Sequence, residues 1–216
     1  MLLKTDLRPH LGPVRDQGQR PTCLAFALSA AHERHHNRVD PLSPEWLYYH
    51  TIQRTGDPVD AGLFADDAIK TLSADGQPED AFWPYRTDPP SSTWGPPADA
   101  PSKLFEAEAN CTGLRVDDVI AALDDCRLVV FTLLIDETLF SWRDVGSEVV
   151  IEDAPAPYDP QSCHALVAVG HGTVDRERAI LIRNSWGRTW GREGYALLPE
   201  EYLKARSNST IFLTEK

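Results

Sequence analysis

Residues 17–26, QGQRPTCLAF, mark the place where an irregular stretch of the chain turns into a helix. Gly18 and Pro21 favour tight turns, and residues 23 to about 38 begin with a run rich in alanine and leucine. The first two turns of this helix are apolar on almost every side, which is typical of a buried helix. The pattern therefore predicts that Cys23 begins a buried helix directly after a turn.

Cys23 at such a position can be a nucleophile or a small core residue. The amides of a first helical turn lack partners and the helix dipole adds positive charge, so both are expected to lower the pKa of the thiol. The thiolate is the reactive form, which suits a nucleophile. Gln17, six residues earlier across the turn, favours this interpretation because its amide could join the Cys23 N–H in binding an oxyanion. The alternative is an ordinary polar turn residue.

The rest of the chain divides into helices followed by strands. After an irregular opening and the first helix, Ser43-Pro44-Glu45 supplies a cap residue and an early proline, and so predicts a second helix. A third helix is expected over residues 64–72, ending near Gly76, and residues 88–101 are predicted to be a linker. Beyond it we predict a helix over residues 116–123 and strands over residues 129–135, 165–169, 179–182, 195–198 and 210–213. This order indicates an α+β fold.

His164 and Asn184 each lie at the end of a predicted strand. His164 directly precedes one strand, and Asn184 follows the next in the segment Asn184-Ser185-Trp186-Gly187. If the two strands are neighbours, the asparagine carbonyl can accept from one ring nitrogen and leave the other facing a thiol. Trp186 could then shield that hydrogen bond from water. A histidine at a strand end is more often structural, so the pair is informative only together with Cys23.

Taken in order, three motifs resemble the papain family of cysteine peptidases. They are QGxxxxCxAF from Gln17, HALVAVG from His164 and NSWGxxWGxxGY from Asn184. The resemblance covers about residues 6 to 213. It implies one papain-like domain over residues 1–216, with a helical lobe over about residues 10–100 and an antiparallel β-rich lobe over about residues 101–216.

The resemblance also implies a role for each residue of the motifs. Gln17 would donate to the oxyanion, Cys23 would attack, His164 would act as acid and base, Asn184 would orient it and Trp186 would shield it. A cleft for an apolar substrate side chain would be lined by Ala61, Gly62, Leu63, Phe64, Cys163 and Ala165. The implied activity is that of an endopeptidase working through an acyl-enzyme on peptide or protein substrates. Two alternatives stay open: an acyl-transfer enzyme (deamidase, transglutaminase-like or ligase) and a non-catalytic binding module.

The chain departs from the family pattern in three places. Arg20 stands where the family usually has a disulfide-bonded cysteine, and Val59 or Asp60 falls near the place of its partner, so that disulfide is expected to be absent. Cys163, just before His164, is expected to be inert, although it could pair with Cys23 under oxidation. About twenty residues precede Cys23, too few for the inhibitory pro-segment of the family. We therefore expect narrow specificity, an activating or inhibitory protein partner, or a missing leader.

A second motif in the sequence is typical of a different kind of site, that of a zinc peptidase. Residues 32–36, HERHH, fit the zinc-peptidase pattern H-E-x-x-H, in which His32 and His36 would bind zinc and Glu33 would act as base. No third ligand is evident, and the segment continues the helix that Cys23 begins. Glu33 corresponds to a structural glutamate of the papain family. We therefore predict no metal and no cofactor.

The composition of the chain indicates which partners, cysteine chemistry and location to expect. The chain has 216 residues, 42% of them hydrophobic, and a net charge of −12 from 33 acidic and 21 basic residues. Such a charge repels nucleic acid and anionic membranes, so neither is expected as a partner. The four cysteines form no C-x-x-C pair and are predicted to be reduced thiols. With no signal peptide and no membrane-spanning run, a cytoplasmic location is predicted.

Overall fold

The computed structural model describes residues 1–88, 90, 93–152, 159–160 and 162–214. Three helices come first: α1 (Cys23–His35), α2 (Pro44–Thr55) and α3 (Ala65–Asp75). Helix α2 begins where the Ser43 hydroxyl accepts the Trp46 amide at 3.1 Å, and α3 ends at Gly76 with φ of 59°. All three helices lie where the sequence predicts them. Of the predicted linker over residues 88–101, residues 89, 91 and 92 lie outside the described residues.

Most of the remaining chain forms one sheet. Its strands are β1 (Leu2–Asp6), β2 (Glu108–Thr112), β3 (Val129–Ile135), β4 (Trp142–Val145), β5 (Glu148–Ile151), β6 (Ser162–Val174), β7 (Glu177–Arg183), β8 (Tyr195–Pro199) and β9 (Ser207–Thr214). Within the described residues their order is β2-β9-β3-β6-β7-β8-β5-β4, with β1 beside β6. Every pair is antiparallel except β5 with β8. Helix α4 (Val116–Asp124) precedes β3, and α5 (Glu200–Arg206) precedes β9. The predicted α+β fold is confirmed.

Four strands were not predicted, namely β1, β2, β4 and β5. The prediction of an irregular opening is wrong, because β1 pairs with the second half of β6. Gly170 and Gly172 permit this contact, since a Cβ atom on either would overlap a carbonyl oxygen of β1. Strand β2 (EANCT) is mostly polar and partly exposed, so no apolar alternation reveals it.

Helix α1 packs against the sheet and places the first motif beside the other two. Its residues from Leu24 to Glu33 are all buried, as predicted for a helix inside the molecule. Strand β6 is its main partner in the sheet and carries His164 near its beginning. Asn184 follows the last residue of β7, the neighbour of β6. None of the helices in the described part of the chain combines the length and apolar character that crossing a bilayer demands. The division into two lobes stays a prediction.

Arg20 and Glu45 form a buried ion pair between the turn before α1 and the start of α2. The guanidinium donates twice to the carboxylate, at 2.6 and 2.9 Å, and the two side chains are only 5% and 2% exposed. Arg20 also donates to the Arg86 carbonyl at 2.7 Å and lies over the ring of Tyr85. Trp94 Nε1 donates to Glu45 at 2.6 Å. All four cysteines of the chain are free, and Arg20 supports with an ion pair the turn where the family pattern has a disulfide-bonded cysteine.

Candidate active site

His164 and Asn184 are joined by a short, buried hydrogen bond. His164 Nε2 lies 2.7 Å from Asn184 Oδ1, and the two residues are only 4% and 2% exposed. Asn184 Oδ1 also accepts the Ser185 amide at 2.8 Å, which identifies this atom as the oxygen. His164 Nε2 must therefore carry the proton, and Nδ1 keeps its lone pair. The ring is thus held in the tautomer that can take a proton at Nδ1.

The sheet accounts for this contact. Val167 of β6 pairs with Arg183 of β7, so His164, three residues earlier, and Asn184, one residue later, lie at the same end of adjacent strands. His164 is held on its other side by the pairing of its backbone with Leu133 of β3. Two residues far apart in sequence therefore meet because antiparallel neighbours bring opposite chain directions together.

Trp186 covers the imidazole of His164. The two rings stack with centroids 4.4 Å apart and planes 28° apart. Phe140, which is 60% exposed, stacks on Trp186 at 5.0 Å with planes 3° apart. Sequence reasoning missed Phe140, because an isolated phenylalanine in a short 3₁₀ helix gives no signal. The stack encloses the hydrogen bond to Asn184 in a medium where it is stronger than in water.

Cys23 lies near the backbone of Ala165, the residue after His164, but its thiol is not activated in the way that the sequence predicts. Burial raises the pKa of the Cys23 thiol, and hydrogen bonds from the amides of Ala165, Leu24 and Cys23 itself only partly oppose this. The prediction of a lowered pKa is therefore wrong, because desolvation outweighs the helix N-terminus. Of the neighbouring groups, the backbone amide of Ala165, the residue after His164, has the largest lowering effect on this pKa. Catalytic hydrogen bonds are often long before substrate binds.

His164 also favours its neutral form. Burial lowers the pKa of the imidazole to about 4, although the hydrogen bond to Asn184 acts in the opposite direction. A neutral thiol beside a neutral imidazole is therefore the resting state that burial favours. Such a pair can act when the thiol loses its proton to Nδ1 as it attacks.

Gln17 links the first motif to the third. Its Nε2 donates to the Arg20 carbonyl at 2.8 Å, and its Oε1 accepts the Ser185 hydroxyl at 2.6 Å. Its backbone amide also donates to the Ser185 carbonyl at 2.8 Å. An amide NH₂ carries two protons, so one remains after the bond to Arg20. Gln17 is only 6% exposed, and its side chain is fixed at both ends beside the start of α1.

The predicted cleft residues are less closely connected to this centre. Ala165 is buried and reaches Cys23 through its amide. The segment 61–64 precedes α3, where the Tyr48 hydroxyl donates to the Ala61 carbonyl at 2.7 Å. Gly62 is exposed, Leu63 is half-buried and Phe64 is 71% exposed. Among the described residues, no hydrogen bond, ion pair or ring contact joins this segment to Cys23 or His164, so its role stays a prediction.

Cys163 lies at the exposed beginning of β6. Partial burial of its sulfur raises the pKa of the thiol, whereas the His164 amide and the Thr132 side chain act to lower it. Because burial raises the pKa of the Cys23 thiol as well, this shift does not distinguish the two cysteines. The expectation that Cys163 is inert stays a prediction.

The histidines of the H-E-x-x-H segment contact each other instead of converging with Glu33. His32 Nδ1 lies 2.9 Å from Gln77 Oε1, and His32 Nε2 lies 3.0 Å from His36 Nε2. Gln77 Nε2 donates to Ser29 and Ser43, so its oxygen faces His32, which must be protonated at Nδ1. Glu33 accepts the Leu42 amide instead. In the described part of the chain, no three side chains of histidine, cysteine, aspartate or glutamate are arranged to hold a metal ion.

His32 should make the fold sensitive to acid. Burial lowers the pKa of His32 to about 4. As the pH falls below about 6.5, His32 therefore becomes protonated in the unfolded chain but stays neutral in the folded chain. Between pH 7 and 4.5 this contributes a loss of about 2–3 kcal/mol in the free energy of unfolding. The variant His32→Gln should lose less stability than the wild type over this interval in urea unfolding.

The comparison must be made between variants, because Glu33 has the opposite effect. Burial raises the pKa of Glu33 to about 7, so its protonation favours the folded state as the pH falls. The exposed His10 provides a control: His10→Gln should keep the wild-type dependence on pH. An equal loss in wild type and His32→Gln would contradict the interpretation.

Comparison with known proteins agrees with this geometry. A sequence model of the papain family cysteine proteases matches residues 138–210. The chain is 30% identical over 199 residues to cathepsin K of Gallus gallus, covering 88% of this chain and 55% of that protein. It is 26% identical over 213 residues to an uncharacterized peptidase C1-like protein of Acanthamoeba polyphaga mimivirus, covering 91% and 67%. The chain thus spans about half the length of cathepsin K.

Solved structures extend the likeness to the whole fold. Xylellain, a cysteine protease from Xylella fastidiosa, superposes with a TM-score of 0.77 at 26% identity, covering 100% of this chain and 87% of that one. A cysteine protease of Carica candamarcensis in complex with E-64 has a TM-score of 0.73 at 20% identity and full coverage of both chains, and it supports the fold alone. The chain is therefore similar to papain-like cysteine peptidases in sequence and in its whole fold.

Proposed function

We propose that this chain is a cysteine endopeptidase with Cys23 as nucleophile and His164 as acid and base. The observation that carries the proposal is the hydrogen bond from His164 Nε2 to Asn184 Oδ1. It fixes the tautomer of a buried imidazole, so that Nδ1 can accept a proton, and the backbone of the next residue, Ala165, lies near the Cys23 thiol. A binding module has no need of this arrangement.

Catalysis would proceed in two steps. The Cys23 sulfur attacks the carbonyl carbon of a substrate peptide bond while its proton passes to His164 Nδ1. The developing oxyanion accepts from the Cys23 amide, which lies in the unpaired first turn of α1, and from the free N–H of Gln17. The imidazolium then protonates the leaving amine, which departs. Finally water, deprotonated by His164, attacks the thioester and releases the acid and the thiol.

The substrate is proposed to be a peptide or protein with an apolar side chain near the cleaved bond. Leu63 and the exposed Phe64 offer apolar surface before α3, and Ala165 leaves room beside the thiol. A cytoplasmic location is supported by four free thiols, which persist in reducing compartments. The net charge of −12 argues against nucleic acid and anionic membranes as partners. A protein partner that activates or inhibits the enzyme remains part of the proposal.

Covalent labelling tests the function directly. An epoxysuccinyl peptide alkylates a nucleophilic cysteine, so mass spectrometry of the treated protein should show one adduct on the tryptic peptide that contains Cys23. Cys163→Ser should be labelled like the wild type, and Cys23→Ser should not be labelled. Incubation with a peptide mixture should then yield fragments rather than ammonia loss or cross-linked products. Wild type left unlabelled would favour the binding module, and the latter products would favour an acyl-transfer enzyme.

A further inference from the structure

A small cavity lies beside Asn184. It has a volume of ≈ 20 Å³ as the space open to the centre of a water molecule. Apolar residues of α1 and β6 form most of its wall, and its polar lining residues are Arg15, Glu33, Arg183, Asn184 and Ser185. A cavity needs about 10–15 Å³ on this measure to hold one water. This one therefore has the size for a single molecule and charged groups on several sides.

Two of the lining side chains bring buried donors without a partner in the described part of the chain. These are Asn184 Nδ2 and Arg183 Nη1. Arg183 is 5% exposed, and its other terminal nitrogen donates to the Pro13 carbonyl. A buried donor that lacks an acceptor costs about 1–3 kcal/mol. Both donors therefore require an acceptor, and the cavity that their residues line offers room for one.

Glu33 is the acceptor that the cavity provides. The side chain is only 5% exposed, and one oxygen accepts the Leu42 amide at 3.0 Å and lies 3.9 Å from Arg15 Nη1. Burial raises the pKa of Glu33 to about 7, although Arg15 and Arg183 oppose this shift, so the carboxylate is mostly ionised at pH 7.5. No direct contact between Glu33 and Asn184 is present among the described residues. A molecule with two lone pairs and two protons is needed between them.

We propose that the cavity binds one ordered water, which accepts from Asn184 Nδ2 and Arg183 Nη1 and donates to Glu33. Glu33 is then a positioning residue for the proposed peptidase reaction. Glu33 would act by fixing the orientation of the Asn184 amide. Asn184 Oδ1 must accept from His164 and Ser185. If the amide were turned over, its NH₂ group would face these two donors. An acceptor on the cavity side holds Nδ2 there and keeps Oδ1 toward the imidazole.

Glu33→Gln tests this proposal with little change of shape. Its oxygen can still accept the Leu42 amide, but an NH₂ then faces the water and removes the acceptor. We expect kcat for a peptide substrate at pH 7.5 to fall about tenfold, the effect of one hydrogen bond, with KM changed less than twofold. The matched control is His32→Gln, on the same helix and equally buried, which should leave kcat unchanged because His32 contacts Gln77. Unchanged kcat in Glu33→Gln, or an equal loss in the control, would overturn the proposal.

A crystal structure of the wild type at about 1.5 Å resolution gives a test that needs no activity. We expect one water within hydrogen-bond distance of Asn184 Nδ2, Arg183 Nη1 and a Glu33 oxygen, and its displacement or a turned Asn184 amide in Glu33→Gln. A wild-type cavity without water density would overturn the proposal. The kinetic experiment rests on the proposed function, whereas this one does not. If the protein has no peptidase activity but the crystal structure shows this water, the proposed function is refuted and the proposed water site is supported.

Discussion

Cys23→Ser is expected to reduce kcat/KM for a peptide substrate by a factor on the order of 10⁴–10⁶, the range seen when a nucleophile or its partner is removed from such a unit. A serine hydroxyl is far less acidic than a thiol, and burial, which already raises the pKa of Cys23, would penalise an alkoxide further. His164, whose pKa burial lowers to about 4, is too weak a base to compensate. The measurement is steady-state hydrolysis of a fluorogenic peptide by proteins with matched folded fractions.

The double variant shows whether the two residues act together. His164→Ala should reduce kcat/KM about as much as Cys23→Ser does. The double variant should have a kcat/KM only slightly lower than either single variant, because neither residue contributes to the reaction once the other has been removed. Cys126→Ser, at an exposed turn after α4, is the matched cysteine control and should retain wild-type kinetics. Additive losses in the double variant would mean that Cys23 and His164 do not serve one reaction.

Glu45→Ala is expected to lower the free energy of unfolding by about 3–5 kcal/mol, because it leaves the Arg20 guanidinium buried without its counter-charge. The pair is only 5% and 2% exposed, so solvent cannot replace the carboxylate. Trp94 Nε1 would also lose its acceptor. In a chain of this size the loss corresponds to a fall in Tm of about 10 °C. Urea unfolding followed by tryptophan fluorescence measures the effect.

The matched control removes both charges. Arg20→Met with Glu45→Leu fills a similar volume with apolar atoms, and such replacements of buried pairs are often neutral. We therefore expect the double variant to recover more than half of the stability lost in Glu45→Ala. Glu79→Ala, which removes an exposed partner of Arg38, should cost less than about 1 kcal/mol. A double variant as unstable as Glu45→Ala would show that the charges themselves are not responsible.

Regular elements with strong local patterns could be predicted from the sequence. The helix at Ser43-Pro44 follows from a cap residue and an early proline, and the strand Val129–Ile135 from a continuous β-branched and apolar run. Strand β1 could not be predicted, because its pairing depends on close approach to two glycines that are remote in sequence. The hairpin of β4 and β5 does have a local signal that was missed, namely the two-residue turn Gly146-Ser147 before the β-branched run Val149–Ile151.

Some features of the candidate site could also be predicted from the sequence, whereas others could not. The order of three motifs was enough to predict that His164 and Asn184 meet, because strand ends can be read from local pattern. The sign of the Cys23 pKa shift could not be predicted, since it depends on how deeply the fold buries the thiol. Phe140 and the Glu33 cavity were missed for a related reason. Each depends on packing between segments more than 40 residues apart.

A disulfide near a cysteine nucleophile would require oxidising and reducing conditions at the same place, and the ion pair of Arg20 and Glu45 avoids this conflict. A cysteine nucleophile must be kept reduced to act, whereas a disulfide that braces its loop must be kept oxidised. Here the same turn is held by charges and hydrogen bonds, which thiol reagents do not touch. Any concentration of reductant that protects Cys23 therefore leaves its support intact, and the chain can reach its working form without an oxidation step.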